Sequence, residues 1–173
     1  MAEPPPEREV RALTATEIRR KGLDRFIDMS HQKETPPTLV DGSQNKAAAS
    51  TPAPTDDFPV NSAGDLVSGC WSLETYDSVA RAGIGYHTWC GDGTRITHTS
   101  TSCTGTGSPG YMYEGCASRT NYGVGWNAWD AGEQWHFCTS YDSSTGMCST
   151  RTGPWQKNRY GADGQVWLLE WGN

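Results

Sequence analysis

The sequence predicts a mainly β fold, a disulfide-stapled antiparallel β-sandwich with an N-terminal amphipathic helix on a long linker. All six cysteines and all eight tryptophans lie between positions 70 and 171, where glycine recurs at short intervals and helical periodicity is absent. An even number of cysteines in so short a stretch is typical of disulfide-bonded proteins from an oxidising compartment. The linker and the helix are indicated by the proline-rich and amphipathic segments that precede this stretch.

The net charge of −6 argues against a nucleic-acid-binding protein, which needs a basic face. No apolar run is long enough to span a bilayer. Met1 is followed by Ala2 and a glutamate, with no apolar leader region. Because the disulfides require export, we expect a secreted protein whose signal peptide is absent from this numbering.

Residues 1–12 are charged and proline-rich, so we expect them to be extended or disordered. Residues 13–29 are predicted to form an amphipathic docking helix. Thr14 and Glu17 match the capping box, and Leu13 and Ile18 occupy the two positions of a hydrophobic staple. The helix would begin at Ala15 and end near position 29.

The apolar side chains of this helix form one stripe, which is the predicted partner-binding surface. It consists of Leu13, Ile18, Leu23, Phe26 and Ile27. A lone helix of this length is marginal in water, so it must dock either on its own β domain or in a groove of another protein. Residues 30–57 contain Pro-Pro and Thr-Pro-Ala-Pro and are predicted to be a linker that extends the helix's reach.

Residues 58–173 are predicted to form one β domain. Its expected strands are Gly69–Tyr76, Ile84–Cys90, Arg95–Ser102, Tyr111–Cys116, Val124–Trp129, Gln134–Ser140, Met147–Thr150 and Val166–Trp171. Leucine, isoleucine and valine are scarce, so tryptophan and tyrosine must supply much of the buried area. Disulfides would add about 2–4 kcal/mol each.

The stretch WCGDGTRIT, residues 89–97, predicts a hairpin, because Asp92-Gly93 favours a tight turn between strands. A calcium loop needs several oxygen ligands, and this stretch has one carboxylate. A redox site needs a second cysteine close by, which is absent. We therefore expect Cys90 to be a structural half-cystine, with Trp89 on the opposite face of its strand.

Cys138 and Cys148 flank a polar loop and are predicted to pair across a hairpin. The other four cysteines allow three pairings, which the sequence alone does not distinguish. Our working assignment joins Cys90 to Cys103, because that bond closes the Asp92-Gly93 hairpin region. The two remaining cysteines, Cys70 and Cys116, would then pair with each other.

Catalytic signals are weak, and we expect no enzyme, no cofactor and no metal. His87 and His98 lie on neighbouring predicted strands and could face each other or a carboxylate. We expect a cross-strand pair at the surface. No spacing singles out two carboxylates for glycoside hydrolysis, and no G-x-S-x-G elbow occurs. The carboxylates considered are Glu74, Glu114, Asp130 and Glu133.

Two further classes of function remain open. Trp126, Trp129 and Trp135 are close in sequence and suggest a carbohydrate- or cell-wall-binding module, because aromatic rings stack on sugars. Trp126 and Trp129 are an odd number of residues apart, so at least one would face the core. A protease inhibitor is the third class, with Tyr141–Met147 as its disulfide-flanked loop.

The β domain also carries a set of short motifs: Trp89-x-x-Asp92-Gly93-x-x-Ile96-Thr97, Tyr113-x-Gly115, Phe137-Cys138 followed by Cys148, Pro154-Trp155 and Gly161-Ala162-Asp163-Gly164. These motifs resemble a group of small secreted actinobacterial β-sandwich proteins rich in cysteine and tryptophan. The layout of docking segment, linker and β domain resembles the adaptor subunit of the umbrella toxin particles of Streptomyces.

This resemblance implies a non-catalytic secreted adaptor of an antibacterial toxin particle. Such an adaptor joins the repeat stalk of a very large toxin protein to a lectin subunit that carries a protease-like domain. The implied partners are thus other secreted proteins, with no nucleic acid and no membrane span.

Overall fold

The computed structural model describes residue 6, residues 8–32, residue 34, residues 38–40 and residues 68–173. The predicted linker therefore lies largely outside the described residues. The chain forms the strands β1 Arg8–Ala12, β2 Thr38–Val40, β3 Gly69–Tyr76, β4 Gly83–Gly91, β5 Ile96–Gly105, β6 Met112–Tyr122, β7 Ala128–Asp142, β8 Met147–Thr152, β9 Trp155–Gly161 and β10 Gln165–Gly172. The helix α1 is Ala15–Arg20, and a 3₁₀ turn covers Asp24–Phe26.

The strands form two sheets, which confirms the predicted mainly β, antiparallel sandwich class. The front sheet has the order β1-β3-β4-β5, and the back sheet has the order β2-β10-β9-β7-β6, with β8 paired to β7. Every pairing between these strands is antiparallel except that of β2 with β10.

The strand predictions differ from the structure at several places: residues 128–142 form one strand, β7, where two strands were expected, and β2 lies within the segment predicted to be a linker. The predicted strand Val124–Trp129 is wrong over its first half, because Gly123 and Gly125 have φ values of 112° and 91° and turn the chain there. β9 was not predicted, because the four residues between Trp155 and Tyr160 are all polar and the strand contains no aliphatic side chain.

The core between the sheets is largely aromatic. Trp71, Leu73 and Trp89 enter it from the front sheet. Trp129 and Tyr160 enter from the back sheet, and all five side chains are buried. Alternation along each strand places these residues on one face, so tryptophan fills the core as the composition predicts.

Cys70 and Cys90 lie on the opposite face of the front sheet from Trp71 and Trp89. They are directly opposite each other in the β3–β4 ladder and form a disulfide with a Cα–Cα distance of 4.0 Å. Cys90 is therefore a structural half-cystine with Trp89 on the other face, as predicted.

The helix is shorter than predicted. Thr14 caps α1 with the predicted capping box, since its side chain accepts from Glu17 N and Glu17 accepts from Thr14 N. α1 ends at Arg20, because Gly22 takes a left-handed φ of 69° and reverses the chain. The prediction of a helix as far as Met29 is thus wrong. Residues 8–12, predicted to be extended or disordered, form the edge strand β1.

The remaining disulfides are Cys138–Cys148, as predicted, and Cys103–Cys116, which joins the edge strands β5 and β6 of the two sheets. The assignments of Cys90 to Cys103 and of Cys70 to Cys116 are wrong. Cys103 lies opposite Gly85 in the β4–β5 ladder, far along the strand from Cys90.

The Asp92-Gly93 stretch connects β4 to β5 as predicted, through a loop that Asp92 organises. The Asp92 carboxylate accepts from Thr94 N at 2.9 Å and Arg95 N at 2.7 Å. Gly93 has φ 93° and donates its N–H to Ala162 O at 3.0 Å, which ties the loop to the back sheet.

The loop between β3 and β4 is built around the carboxylate of Asp77. This side chain accepts from five consecutive backbone N–H groups, those of residues 79–83, at 2.6–3.0 Å. Asp77 is only 2% exposed, and Arg81 within the loop has a φ of 53°. The Asp77 carboxylate is therefore the hydrogen-bond acceptor for the backbone N–H groups along the loop.

Asp77→Ala is expected to lower the free energy of unfolding by about 3–5 kcal/mol, because several buried donors lose their acceptor at once. Chemical denaturation measures this change. Asp142→Ala, at a solvent-exposed turn, is the matched control and should shift the denaturation midpoint far less than Asp77→Ala does. Equal midpoints for wild type and Asp77→Ala would contradict the structural role of Asp77.

Candidate functional site

The five predicted partner-binding residues lie against the chain's own front sheet. Leu13, Ile18, Leu23 and Ile27 are buried together with the Cys70–Cys90 disulfide. Phe26 packs at the edge of this cluster, and its ring lies 4.6 Å from the ring of His98. We call residues 13–29 the N-terminal cap. Of the two docking alternatives, the structure has the intramolecular one, because these residues bury an otherwise bare disulfide.

Arg11 and Glu17 fix the cap to the strand that precedes it. The Arg11 guanidinium lies 2.8 Å from Glu17 and lowers the pKa of that carboxyl to about 2. Burial under the cap, with a smaller contribution from the charge of Arg25, lowers the pKa of His98. The docked cap therefore favours neutral His98.

The predicted surface pair of His87 and His98 is wrong. His98 is on the outer face of the front sheet, whereas His87 is buried between the sheets. His87 Nε2 lies 2.9 Å from Glu133 Oε2, and Thr75 donates to the other oxygen of Glu133. Thr101 Oγ1 lies 3.0 Å from His87 Nδ1. The sequence of hydrogen-bonded groups, a hydroxyl, a histidine and a carboxylate, resembles that of a catalytic relay. However, the His87 and Glu133 side chains are fully buried, so we interpret the arrangement as stabilising the core.

The four carboxylates considered as catalytic lie in different surroundings. Glu74 accepts from Tyr76 Oη at 2.8 Å and raises the pKa of that tyrosine to about 12. Glu114 pairs with Arg151 at 2.8 Å. Asp130 binds the Arg159 guanidinium through both oxygens, at 2.7 and 2.9 Å.

One cluster of potential metal ligands occurs among the described residues, formed by Glu114, Cys138 and Cys148. Its two sulfur atoms are joined in a disulfide. A disulfide leaves no thiolate for a metal, so the cluster is not suited to hold one.

The outer face of the back sheet carries a cleft of about 450 Å³. Its floor is Gly132 in the middle of β7. Arg119 of β6 and Lys157 of β9 flank Gly132 in the ladders, and Glu170 of β10 follows Lys157. Because directly opposite residues share a face, Arg119 and Lys157 lie on either side of Gly132. A Cβ at Gly132 would come within 2.6 Å of Gln156 O, so the backbone of β9 approaches this glycine closely.

The next row of the same face contains Gln134 on β7 and Trp155 on β9, which lie directly opposite each other. A Cβ at Gly172 would come within 2.8 Å of Trp155 Nε1, so the indole covers that glycine. Gln134 and Trp155 also line a second hollow of about 450 Å³, together with Arg151, Thr152, Gly153 and Asn173. Trp155 thus lies where the two hollows meet.

The tryptophans predicted to bind sugars lie elsewhere. Trp129 and Trp135 are buried in the core, and Trp126 packs against Tyr122 with ring centroids 5.0 Å apart. Sequence reasoning missed Trp155. The available signal was the alternation of Trp155, Lys157 and Arg159 on one face of β9, but it is informative only once β9 is recognised as a strand.

The second half of β7 and β8 form a hairpin that extends beyond the sandwich, which we call the arm, residues 139–151. Every residue of the arm except Cys148 is exposed. Tyr141 and Met147 are 51% and 67% exposed. The Cys138–Cys148 disulfide joins its two strands.

Comparisons with known proteins give no relative: no family model, no curated protein and no solved structure matches the chain. Within the described residues, no helix has the length and apolar character that crossing a membrane requires.

Ile18→Ala is expected to loosen the cap, because Ile18 is fully buried and its truncation costs about 2–5 kcal/mol. Limited trypsin digestion measures the change, since cleavage at Arg19 and Arg20 tracks the population of the undocked cap. Cleavage should accelerate at least about tenfold. The exposed neighbour Thr16→Ala is the control, and an unchanged rate for Ile18→Ala would contradict the packing of the cap.

Lowering the pH is expected to loosen the cap through His98. In the undocked state His98 titrates near its ordinary pKa of about 6.5, and docking lowers that pKa, so protons favour undocking. Between pH 7.5 and 5.5 the opening equilibrium of residues 13–29 should rise by up to about tenfold. Hydrogen exchange, corrected for its intrinsic pH dependence, measures it. His98→Gln should flatten the response, and an unaltered response would refute the role of His98.

Proposed function

We propose that this protein is a non-catalytic secreted adaptor that joins subunits of an antibacterial toxin particle. The observation that carries the proposal is the arm. It contributes nothing to the core, yet a disulfide holds it rigid and exposes Tyr141 and Met147 to solvent. Exposed apolar side chains on a rigid projection are typical of a protein-binding surface.

The tip of the arm is ordered before any partner binds. Asp142 accepts from Ser144 N at 2.8 Å and Ser144 Oγ at 2.6 Å, and Gly146 N donates to Asp142 O at 2.8 Å. The hydrogen bond from the Ser144 hydroxyl is the main cause that lowers the pKa of Asp142. A preordered surface loses little conformational entropy when it binds.

The turn also bears on the alternative of a protease inhibitor. Protein clefts that bind an extended segment take it as an added strand. Residues 142–147 fold into a closed turn instead, so the arm is better suited to contact a partner's surface. The side chains of His87 and Glu133 are fully buried, which favours a structural role for this pair.

The identity of the partners rests on the resemblance to the umbrella particle adaptors. In such a particle one face of the adaptor meets the repeat stalk and another meets the lectin subunit. Three disulfides among the described residues support folding in an oxidising compartment, as secretion requires. The N-terminal cap packs on the chain's own front sheet, so we propose that the contact with a partner lies on the arm.

Tyr141→Ala combined with Met147→Ala is expected to reduce partner capture at least about tenfold, because aromatic and apolar anchors dominate interfaces. The full chain is used to capture proteins from Streptomyces culture supernatant, and mass spectrometry quantifies them. The wild type should recover a large repeat-containing protein or a lectin-bearing subunit.

Val124→Ala is the matched control, because Val124 is 62% exposed and lies outside the arm. It should recover the same proteins as the wild type. Recovery of neither partner by the wild type would refute the adaptor function. Equal recovery by the arm variant would show that the arm is not the contact surface.

A further inference from the structure

We propose that the cleft on the outer face of the back sheet binds an oligosaccharide, with Trp155 as the ring on which a sugar stacks. This inference goes beyond the adaptor function, because the cleft does not include Tyr141 or Met147, the proposed partner contacts; the arm contributes only Arg151, at its base. It is carried by the shape of the cleft, the position of Trp155 and the polar groups around it.

The shape of the cleft favours a chain-like ligand. Two hollows of about 450 Å³ each share the side chains of Gln134 and Trp155. Each volume is within the range of small-molecule sites. Because Trp155 lies between them, a ligand of several linked units can occupy both hollows and cross the indole at the middle.

Trp155 is held in place by the sheet beneath it. Its indole covers Gly172 and is only half-buried, so part of the ring faces the cleft. A side chain at Gly172 would displace the indole. A fixed aromatic ring in a concave polar site suits the apolar face of a sugar ring, and tryptophan is often the anchor of a binding site.

The groups around Trp155 offer donors and acceptors at short intervals. Gln134 Nε2 donates to Gly153 O at 3.1 Å, which fixes the amide beside the indole. Arg119 and Glu170 line the first hollow, and Lys157 Nζ lies 3.9 Å from Asp130. Both signs of charge are present within one cleft. Hydroxyl groups act as donors and acceptors alike, so a polyhydroxyl ligand matches this mixture better than an ion of one charge.

Other macromolecules fit the cleft less well. It lies in the middle of the sheet, where β7 pairs with both β6 and β9, so no backbone edge is open for an added peptide strand. A net charge of −6 disfavours a nucleic-acid chain. An oligosaccharide needs neither a free strand edge nor a basic surface.

The test uses the full chain with insoluble chitin, cellulose and purified peptidoglycan in a pelleting assay, and with soluble xylan, β-glucan and dextran in affinity gel electrophoresis. At least one polysaccharide should retain the wild type. Trp155→Ala should weaken that binding at least about tenfold. Trp155→Phe, which keeps a ring, should retain more of it.

Arg119→Gln is a second variant at an exposed position, which leaves the core unaltered and should weaken binding more mildly. The arm variant Tyr141→Ala with Met147→Ala is the matched control and should bind polysaccharide as the wild type does. Conversely, Trp155→Ala should capture secreted protein partners normally, which separates this site from the proposed adaptor surface. The proposal is overturned if the wild type binds none of the polysaccharides. It is also overturned if Trp155→Ala binds them undiminished, or if that variant loses protein partners instead.

Discussion

The register of β3 on β4 is the constraint on which the rest of the structure depends. In this ladder Cys70 lies opposite Cys90 and Trp71 lies opposite Trp89. The tryptophans enter the core and the disulfide faces outward, because neighbouring residues of a strand point to opposite faces. A slip of β3 by one residue would turn Cys70 toward the core and expose the indole of Trp71. The disulfide holds that register, with Trp71 and Trp89 facing the back sheet and the disulfide facing the N-terminal cap.

The two outer faces of the sandwich consequently differ in character. The front face is apolar around the Cys70–Cys90 disulfide, and the cap buries that area. The back face is polar, and its buried carboxylate Asp130 is neutralised by Arg159, which is also buried, through two hydrogen bonds. Because Arg159 neutralises the charge of Asp130, this pair exerts little net electrostatic field on the neighbouring side chains. The outer face of the back sheet carries a cleft lined by both positive and negative side chains, and this is where we propose that a ligand binds.

The amino-acid sequence predicts the class of fold and one disulfide, because alternation, glycine spacing and short cysteine separation are local signals. It also predicts the start of α1, where Thr14 and Glu17 are three residues apart. It fails where the outcome depends on which strands become neighbours. Cys70 and Cys90 pair because β3 and β4 are adjacent, and spacing alone does not reveal that. The cleft likewise combines Gly132, Trp155 and Glu170 from three strands, so no local pattern brings them together. The predicted length of the helix is wrong for a different reason: Gly22 is compatible with a helix at a modest cost. In the structure the reversal there is stabilised by the hydrogen bonds from Gly22 N to Arg19 O and from Leu23 N to Ile18 O, and by burial of Leu23 on the front sheet.

The disulfides of the β domain serve two different physical purposes. Cys70–Cys90 and Cys103–Cys116 lie within and between the sheets, where an aromatic core with few aliphatic residues gains stability from restriction of the unfolded chain. Cys138–Cys148 joins the strands of the arm, whose residues are exposed except for Cys148 and whose base is tied to β6 by the Arg151–Glu114 ion pair. This disulfide limits the motion of the two strands of the arm relative to each other, and so it restrains the positions of Tyr141 and Met147. Rigidity that the fold itself does not need is most simply explained by binding, since a preordered surface keeps more of its interaction energy when it meets a partner.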